Sequence, residues 1–293
     1  MGRGYVTVGV DVGGTRLRVV GQDADGTRSD VREIAVPRNP HDLVEALGGL
    51  VDEVAAGRAV SRTAIGLPGQ TTAAVPKWIP NLRFLDGVPL ASMVTGRVGG
   101  ECVLVNDAQA TLVAEAREGS VAGRSSAVLV AVGTGIGGAV MVDGRLVRGA
   151  HGCAGGFGWL SFDGAVADPD HGPWEQVASG ATLDRLGAGW GGAAGLIEAA
   201  RNSDMAALEV MDQFGALLGT GIGALASMFD PEVVVLAGGL VVCLDLIEYS
   251  LVRAQRQCAS PAGRDVPVLA AALGPRAGAI GALRVALETE EIA

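Results

Sequence analysis

Apolar residues come in short runs at the start of the chain, and their spacing predicts strands. Residues 5–12 and 16–23 are rich in β-branched side chains and flank a Gly-Gly pair, which predicts two strands joined by a tight turn. Residues 41–57 carry apolar side chains at helical spacing and end in glycine, as an amphipathic helix does. Residues 63–69 predict a short strand that runs into a Pro-Gly turn.

A second unit of the same kind follows in the middle of the chain. Residues 101–119 combine a buried strand with a helix that starts near Asp107. Residues 127–148 then repeat the order strand, glycine turn, strand that is seen at 5–23. This recurrence indicates two halves of the βββαβα type, and therefore an α/β protein.

The pattern after residue 165 is mostly helical. The predicted elements are helical segments at 174–186 and 205–229, a buried strand within 231–240, a helix at 243–259, a strand at 265–273 and a closing helix at 276–290. No low-complexity linker separates these segments.

Length, charge and cysteine spacing narrow the class of protein. A chain of 293 residues can form two lobes or one large α/β domain, and a net charge of −10 disfavours nucleic acid as a partner. There is no run of about 18 uncharged apolar residues and no secretory leader, so we expect a cytoplasmic protein without membrane contact. The four cysteines form no C-x-x-C pair and are expected to be buried, reduced thiols: Cys102, Cys153, Cys243 and Cys258.

Three glycine clusters directly follow apolar strands, at 11–15, 133–138 and 236–240. Glycine permits close approach of the backbone, so that successive N–H groups can converge on an anion. Any single cluster is better explained by an ordinary hairpin turn. Three of them at strand ends, with Asp11 leading the first, favour a polyphosphate site.

The cluster at 133–138 reads G-T-G-I-G-G and formally matches the dinucleotide fingerprint G-x-G-x-x-G. That motif has to open a helix, whereas here the residues that follow continue as a strand. The chain also lacks G-x-x-x-x-G-K-[ST], which excludes a P-loop.

Five segments, taken in order, resemble the ROK family of sugar kinases and repressors. They are GVDVGGTRLRVV, VNDAQATLVAE, VGTGIGGAVMVDGRLVRG, VVVLAGGL and AGAIGAL. The resemblance implies the two-lobed actin-like ATPase (ribonuclease-H-like) fold, with ATP and sugar bound in an interlobe cleft. It also implies a small lobe at 1–108 plus 277–293 and a large lobe at 109–276.

The resemblance implies a nucleotide site on the glycine-rich turns. It assigns the first phosphate loop to Gly13, Gly14, Thr15 and Arg16, the second to Gly133, Thr134 and Gly135, and the adenosine contact to Gly238 and Gly239. Asp11 is expected to act on Mg²⁺ through water, since Mg²⁺ keeps part of its hydration shell. The expected cofactors are therefore ATP and Mg²⁺, and the expected assembly is a homodimer.

Asp107 matches the family's general base, which takes the proton from the acceptor hydroxyl. Asn106 is expected to orient the same hydroxyls. A carboxylate within hydrogen-bond reach assists a hydroxyl, a poor nucleophile, as the phosphoryl group transfers. The alternative role of Asp107 is that of a helix N-cap, which is compatible with catalysis.

Further sugar contacts are implied by two other segments. Residues 65–82 resemble the family's P-G…P-N-L segment, which places Gly69 and Asn81 near the sugar. Glu175 matches a sugar-binding Glu that precedes an Ala-Ser-Gly helix. Its alternative is an exposed glutamate in the first turn of a helix.

The loop at 149–164 departs from the family pattern. The family has the motif Glu-x-Gly-His at this point. In this chain Gly156 stands at the Glu position and Trp159 at the His position. The family's Glu binds sugar hydroxyls, so its loss suggests an acceptor that differs from plain glucose around ring carbons 2 and 3. An amino hexose (as for kanosamine-type kinases of antibiotic pathways) or a cyclitol fits this change, and both Gly156 and Trp159 are expected near the substrate.

The zinc positions of the family have changed together. The His position is tryptophan, and the cysteine positions hold Val166, Asp168 and Pro173. Zinc needs about four N or S ligands, so we expect no zinc site among these residues, with His171 as a polar loop residue. A catalytically silent sugar-binding protein remains an alternative, whereas a repressor is disfavoured because no basic DNA-binding segment precedes the first strand.

Overall fold

In the computed structural model, the apolar runs form two mixed β-sheets, and helices with apolar faces cover them. The structure describes residues 4–71, 75–79, 81–162, 164, 166–168 and 170–288. The strands are β1 (Tyr5–Val12), β2 (Arg16–Asp23), β3 (Arg32–Ala35), β4 (Ala59–Leu67), β5 (Glu101–Asn106), β6 (Ala127–Val132), β7 (Ile136–Val142), β8 (Arg145–Leu146), β9 (Val234–Ala237) and β10 (Val268–Ala270). The α-helices are α1 (Pro40–Ala55), α2 (Leu90–Val98), α3 (Asp107–Glu118), α4 (Pro173–Ala178), α5 (Gly180–Leu186), α6 (Ala193–Arg201), α7 (Met205–Phe229), α8 (Leu244–Cys258) and α9 (Ala277–Leu287).

The first sheet has the strand order β3-β2-β1-β4-β5. β1 runs antiparallel to β2 and parallel to β4, which is in turn parallel to β5. The carboxyl ends of three parallel strands therefore meet at one edge, where ligands bind in open α/β sheets.

The second sheet repeats this arrangement. β6 pairs antiparallel with β7 and parallel with β9, which pairs parallel with β10. The order β7-β6-β9-β10 thus matches β2-β1-β4-β5 of the first sheet. The predicted recurrence of two similar halves is confirmed.

The chain divides into two compact units whose bounds differ from the predicted lobes. The first unit comprises 1–122, 145–154 and 273–293, and the second comprises 123–144 and 155–272. Residues 109–122 join the first unit because α3 packs closely on α9. A Cβ atom on Gly281 would lie 1.7 Å from the carbonyl oxygen of Ala110. The two-lobe division itself stays a prediction.

Most predicted elements have the expected bounds, and one was wrong. β1, β2 and α7 match their predicted ranges. The helical stretch predicted at 174–186 is broken at Ser179, whose side chain accepts a hydrogen bond from Thr182 N and so begins α5 as a new helix. β3 and α2 were not predicted.

The cysteines do not share one environment. Cys243 is buried and Cys102 and Cys153 are half-buried, as free thiols, whereas Cys258 is exposed, so the expectation that all four are buried is wrong for Cys258. Within the described ranges, none of the helices has the length and apolar character needed to span a bilayer.

Candidate active site

Three of the predicted site residues lie at the carboxyl edge of the first sheet: Asp11, Asn106 and Asp107. Strand register places Asp11 beside Gly66, and Leu67 beside Asn106. Asp11 and Asn106 thus stand at the ends of two strands that are separated only by β4, and Asp107 follows Asn106 directly. A sequence distance of almost a hundred residues is closed by the parallel pairing of β1, β4 and β5.

Asp107 is the first residue of α3, and its neighbour Asn106 is the cap. The side-chain oxygen of Asn106 accepts hydrogen bonds from the backbone N–H of Ala108, at 3.1 Å, and of Gln109, at 3.2 Å. The alternative of Asp107 as the N-cap is therefore wrong. Its Oδ1 instead accepts a hydrogen bond from Ala108 N at 2.8 Å.

The pKa of both carboxylates at this edge is raised above the usual value. Burial raises the pKa of Asp107, although the hydrogen bond from Ala108 N opposes this rise. Burial and then the charge of Asp107 raise the pKa of Asp11 to about 6, while the ion pair with Arg18 acts in the opposite direction. A carboxylate with a raised pKa is a stronger base than an ordinary aspartate, which suits proton transfer near neutral pH.

Arg18 is a site-edge residue that the sequence reasoning missed. It lies opposite Asp11 in the β1–β2 ladder, and its Nη1 is 3.1 Å from Asp11 Oδ2. The sequence alone does not identify it, because the cross-strand partners in this hairpin follow from the turn at Gly13–Thr15 only once the register is known.

The first glycine turn is held at its base. Gly13 N donates to Arg16 O at 3.0 Å, and Val36 N donates to Thr15 O at 3.0 Å. Within the described ranges, the backbone N–H groups of Gly14 and Thr15 donate to no protein acceptor. Two adjacent N–H donors in a tight turn are the arrangement that binds phosphate oxygens.

Gly69 and Asn81 lie close to the same edge. Asn106 Nδ2 donates to Gly69 O at 3.3 Å. Gly69 has φ of +83°, and a Cβ there would stand 2.0 Å from Trp78 O, so glycine is required. A Cβ on Gly14 would lie 3.5 Å from Asn81 Cβ, which sets Asn81 beside the first glycine turn. Residues 72–74 and 80 of the predicted sugar segment lie outside the described residues.

The second unit brings its own two glycine turns together. Ala131 pairs with Ala237 in the β6–β9 ladder, so residues 133–135 and 238–239 leave neighbouring strand ends. Gly133 N donates to Gly135 O at 3.0 Å, which closes the turn. Gly238 has φ of +88° and its Cβ would lie 2.4 Å from Val132 O.

Glu175 lies against the second glycine turn. Its Oε2 accepts a hydrogen bond from Ile136 N at 2.7 Å and would lie 2.1 Å from a Cβ on Gly135. Glu175 is in the first turn of α4 and half-buried, so the alternative of an exposed glutamate is wrong. The N–H groups of Thr134 and Gly135 have no protein acceptor in the part of the chain that the structure describes.

The loop that departs from the family pattern forms a short 3₁₀ turn at Phe157–Trp159. Phe157 is buried, whereas Gly156 and Trp159 are exposed. Trp174 N donates to Leu160 O at 3.0 Å, which ties the end of the turn to α4. The turn therefore exposes the two positions that depart from the family pattern, Gly156 and Trp159, while Phe157 is buried beneath them.

The zinc positions of the family do not fit a metal here. Asp168 accepts hydrogen bonds from Asp170 N, at 2.8 Å, and His171 N, at 2.6 Å, and its Oδ1 lies 3.1 Å from His171 Nδ1. Val166 is exposed and Pro173 begins α4. No group of three or more metal-binding side chains occurs in the described ranges, and residues 163, 165 and 169 lie outside them.

The residues do fit a nucleotide with a divalent cation. Each glycine turn offers backbone N–H donors of the kind that bind phosphates, and Asp11 offers the carboxylate oxygens that Mg²⁺ prefers. The chemistry this edge can perform is thus phosphate binding with a basic carboxylate, Asp107, alongside.

Comparison with known proteins points the same way. A model of the ROK family matches residues 7–289. A glucokinase of Streptomyces coelicolor is 30% identical, covering 98% of this chain and 99% of that protein. An N-acetyl-D-glucosamine kinase of Pectobacterium atrosepticum is 31% identical, covering 79% of this chain and 83% of that protein.

A solved structure is also similar over the whole length. It is a ROK family glucokinase from Streptomyces griseus in complex with glucose and AMPPNP, with a TM-score of 0.81 and 29% identity. The alignment covers 97% of this chain and 99% of that one.

Proposed function

Because the chain belongs to the ROK family, we propose that it transfers the γ-phosphoryl group of MgATP to the primary hydroxyl of a hexose or modified hexose. The chain has the actin-like ATPase fold of its structural relatives, and it is a sugar kinase. The observation that carries the proposal is Asp107: a half-buried carboxylate with a raised pKa, next to Asn106 at a sheet edge.

The nucleotide would be held by backbone rather than side chains. The N–H groups of Gly14 and Thr15, and those of Thr134 and Gly135 in the second unit, are suited to phosphate oxygens, with Gly13 and Gly133 closing the two turns. Gly238 and Gly239 would face the adenosine. When bound, the nucleotide and its Mg²⁺ supply the transferable phosphoryl group and neutralise its charge.

Asp107 would accept the proton of the acceptor hydroxyl. Its raised pKa makes it a better proton acceptor than an ordinary aspartate, and its place at the start of α3 keeps it in one orientation. Asn106 holds Gly69 with its amide and caps the helix with its oxygen, so it would fix the groups around the hydroxyl.

The acceptor is proposed to be a hexose that carries an amino group, or is otherwise changed, near ring carbons 2 and 3. The relatives include kinases named for glucose and for N-acetyl-D-glucosamine, which differ at carbon 2. Gly156 and Trp159 stand in an outward turn where the family has other residues, and Glu175 and Asn81 would complete the sugar contacts. The prediction of a cytoplasmic homodimer stays a prediction.

The test is release of ADP from MgATP with glucose, its 2-amino and 3-amino analogues, N-acetylglucosamine, N-acetylmannosamine and a cyclitol. We expect turnover with at least one of these, and a loss of about 10²- to 10⁴-fold in Asp107→Asn with little change in nucleotide affinity. Asp204→Asn is the matched control, because Asp204 is an exposed helix cap elsewhere in the chain. The proposal fails if no acceptor supports turnover, or if Asp107→Asn turns over like the wild type.

A further inference from the structure

Three charged side chains lie side by side on neighbouring strands of the first sheet: Glu33 on β3, Arg18 on β2 and Asp11 on β1. Arg18 pairs with Asp11 in the β1–β2 ladder and with Glu33 in the β2–β3 ladder. Its Nη1 is 3.1 Å from Asp11 Oδ2, and its Nε is 2.5 Å from Glu33 Oε2. The guanidinium is thereby fixed at both ends.

The pair between Arg18 and Asp11 is largely shielded from water. The side chains of Arg18 and Asp11 are only 17% and 12% exposed. Gly278 in the first turn of α9 closes the other side, since its Cβ would stand 2.8 Å from Asp11 Oδ1. Charges in such a place interact more strongly than on an open surface.

We infer that Arg18 is a positioning residue that keeps Asp11 from binding a divalent cation on its own, so that Mg²⁺ enters only together with the nucleotide phosphates. The inference rests on the proposed function and concerns the same edge. Asp11 is buried and Asp107 is half-buried, and the charges of the two carboxylates act on each other, which is an arrangement that attracts a divalent cation. The guanidinium of Arg18 offsets this attraction and occupies Asp11 Oδ2.

Electrostatics gives the direction of the effect. A fixed positive charge within a few ångströms of Asp11 repels a dication, and the repulsion is stronger where the side chains are shielded from water. The phosphates of a bound nucleotide would add enough negative charge to overcome it. Without Arg18, the two carboxylates need no phosphate to hold a cation. Glu33 does not restore the balance, because Arg16 Nε lies 3.5 Å from its Oε1 and pairs with it as well.

The experiment is binding of Mn²⁺ to the full chain without nucleotide, followed by the paramagnetic resonance signal of free Mn²⁺, with and without AMPPNP. We expect weak or no binding to the wild type alone and tight binding with AMPPNP. Arg18→Met should bind Mn²⁺ alone at least about tenfold more tightly than the wild type, whereas Arg18→Lys, which keeps the charge, should not. Arg62→Met is the matched control, since Arg62 pairs with Glu101 across β4 and β5 at the opposite strand ends.

A double variant shows whether Mn²⁺ binds at Asp11, and circular dichroism shows whether each variant is folded. Adding Asp11→Asn to Arg18→Met should abolish the gain, and unchanged circular dichroism verifies the fold of each variant. The inference is overturned if the wild type binds Mn²⁺ tightly without nucleotide, or if folded Arg18→Met gains no affinity. It is also overturned if the gain survives Asp11→Asn. These readouts need no sugar, so a failure of the kinase assay is distinguishable from a failure here.

Discussion

Asn106 caps α3 so that Asp107 does not have to. The amide oxygen of Asn106 accepts hydrogen bonds from the second and third residues of the helix, and Asp107 takes the first helical position. The capping role at the end of β5 thus belongs to Asn106, which leaves the carboxylate of Asp107 available for the base role proposed above.

This division predicts that Asn106 and Asp107 respond differently to substitution. Asn106→Ala should lower the free energy of unfolding by about 1 kcal/mol, because two N–H groups of α3 lose their acceptor. Asn106→Asp keeps a capping oxygen and should retain most of that stability, but it places a second carboxylate beside Asp107 and should reduce turnover. Chemical denaturation and ADP release measure the two effects. Equal stability of Asn106→Ala and the wild type would contradict the capping role.

The raised pKa of Asp11 predicts a pH dependence of stability. In the folded chain this pKa is about 6, above the value of about 3.9 in the unfolded chain. The protonated form is therefore favoured by folding, so its stabilisation is complete below about pH 4 and is lost as the pH rises through 6. Asp11→Asn, which mimics the protonated form, should gain stability relative to the wild type between pH 4 and 7, by up to about 3 kcal/mol.

Denaturation in EDTA at several pH values checks this, because it excludes cation binding. Asp204→Asn, at an exposed cap, should show no such trend relative to the wild type. Burial raises the pKa of Asp107 as well. Turnover should therefore fall as the pH is lowered, because Asp11 and Asp107 become protonated. A difference between Asp11→Asn and wild type that does not change with pH is the contrary result.

The contact between Gly135 and Glu175 predicts a coupled pair. An alanine at 135 would place its Cβ 2.1 Å from Glu175 Oε2, so the carboxylate has to leave its hydrogen bond with Ile136 N. Gly135→Ala should cost about 2 kcal/mol of stability, the value of a hydrogen bond to a charged group. In a Glu175→Ala background the same change should cost much less.

Gly133→Ala is the matched control for this cycle, because a Cβ at 133 meets no atom within 4 Å. It should leave stability unchanged. If the 133–135 turn binds phosphate, Gly133→Ala should still weaken ADP binding in calorimetry. Additive costs of Gly135→Ala and Glu175→Ala would show that the contact is not coupled.

The hydrogen bonds between Asp168 and His171 predict independence from zinc. Asp168 stands at a cysteine position of the family's zinc motif; it accepts a hydrogen bond from His171 N, and its Oδ1 lies 3.1 Å from His171 Nδ1. Elemental analysis of the purified protein should find no stoichiometric zinc, and chelator should not shift the midpoint of thermal unfolding. One zinc per chain, or unfolding at lower temperature in chelator, is the result that contradicts it.

The sequence predicted the elements that carry their own signal. β1, β2 and α7 have long, regular apolar patterns, and their ends are marked by Gly-Gly or capping residues. β3 could not be predicted from the sequence, because its four residues are mostly exposed and the strand forms through its pairing with β2. The break at Ser179 was missed since a serine inside a helical pattern caps or continues a helix depending on its backbone angles.

The candidate site divides in the same way. The glycine turns and Asp107 were recognisable because motif residues are adjacent in sequence. Arg18 and the contact of Glu175 with Gly135 depend on strand register and on packing between distant segments. Such relations require the register and the backbone path, which no local pattern contains.

The close packing of α9 on β1 also has a consequence for the order in which the protein folds during synthesis. A Cβ on Gly9 would lie 2.3 Å from Ala279 O, so the first strand is shaped to receive a helix that is synthesised some 270 residues later. During translation, the surface of β1 that α9 covers stays open until α9 leaves the ribosome, whereas the elements of the second unit precede α9 in the chain. The first unit can therefore be completed only after the segments of the second unit have been synthesised.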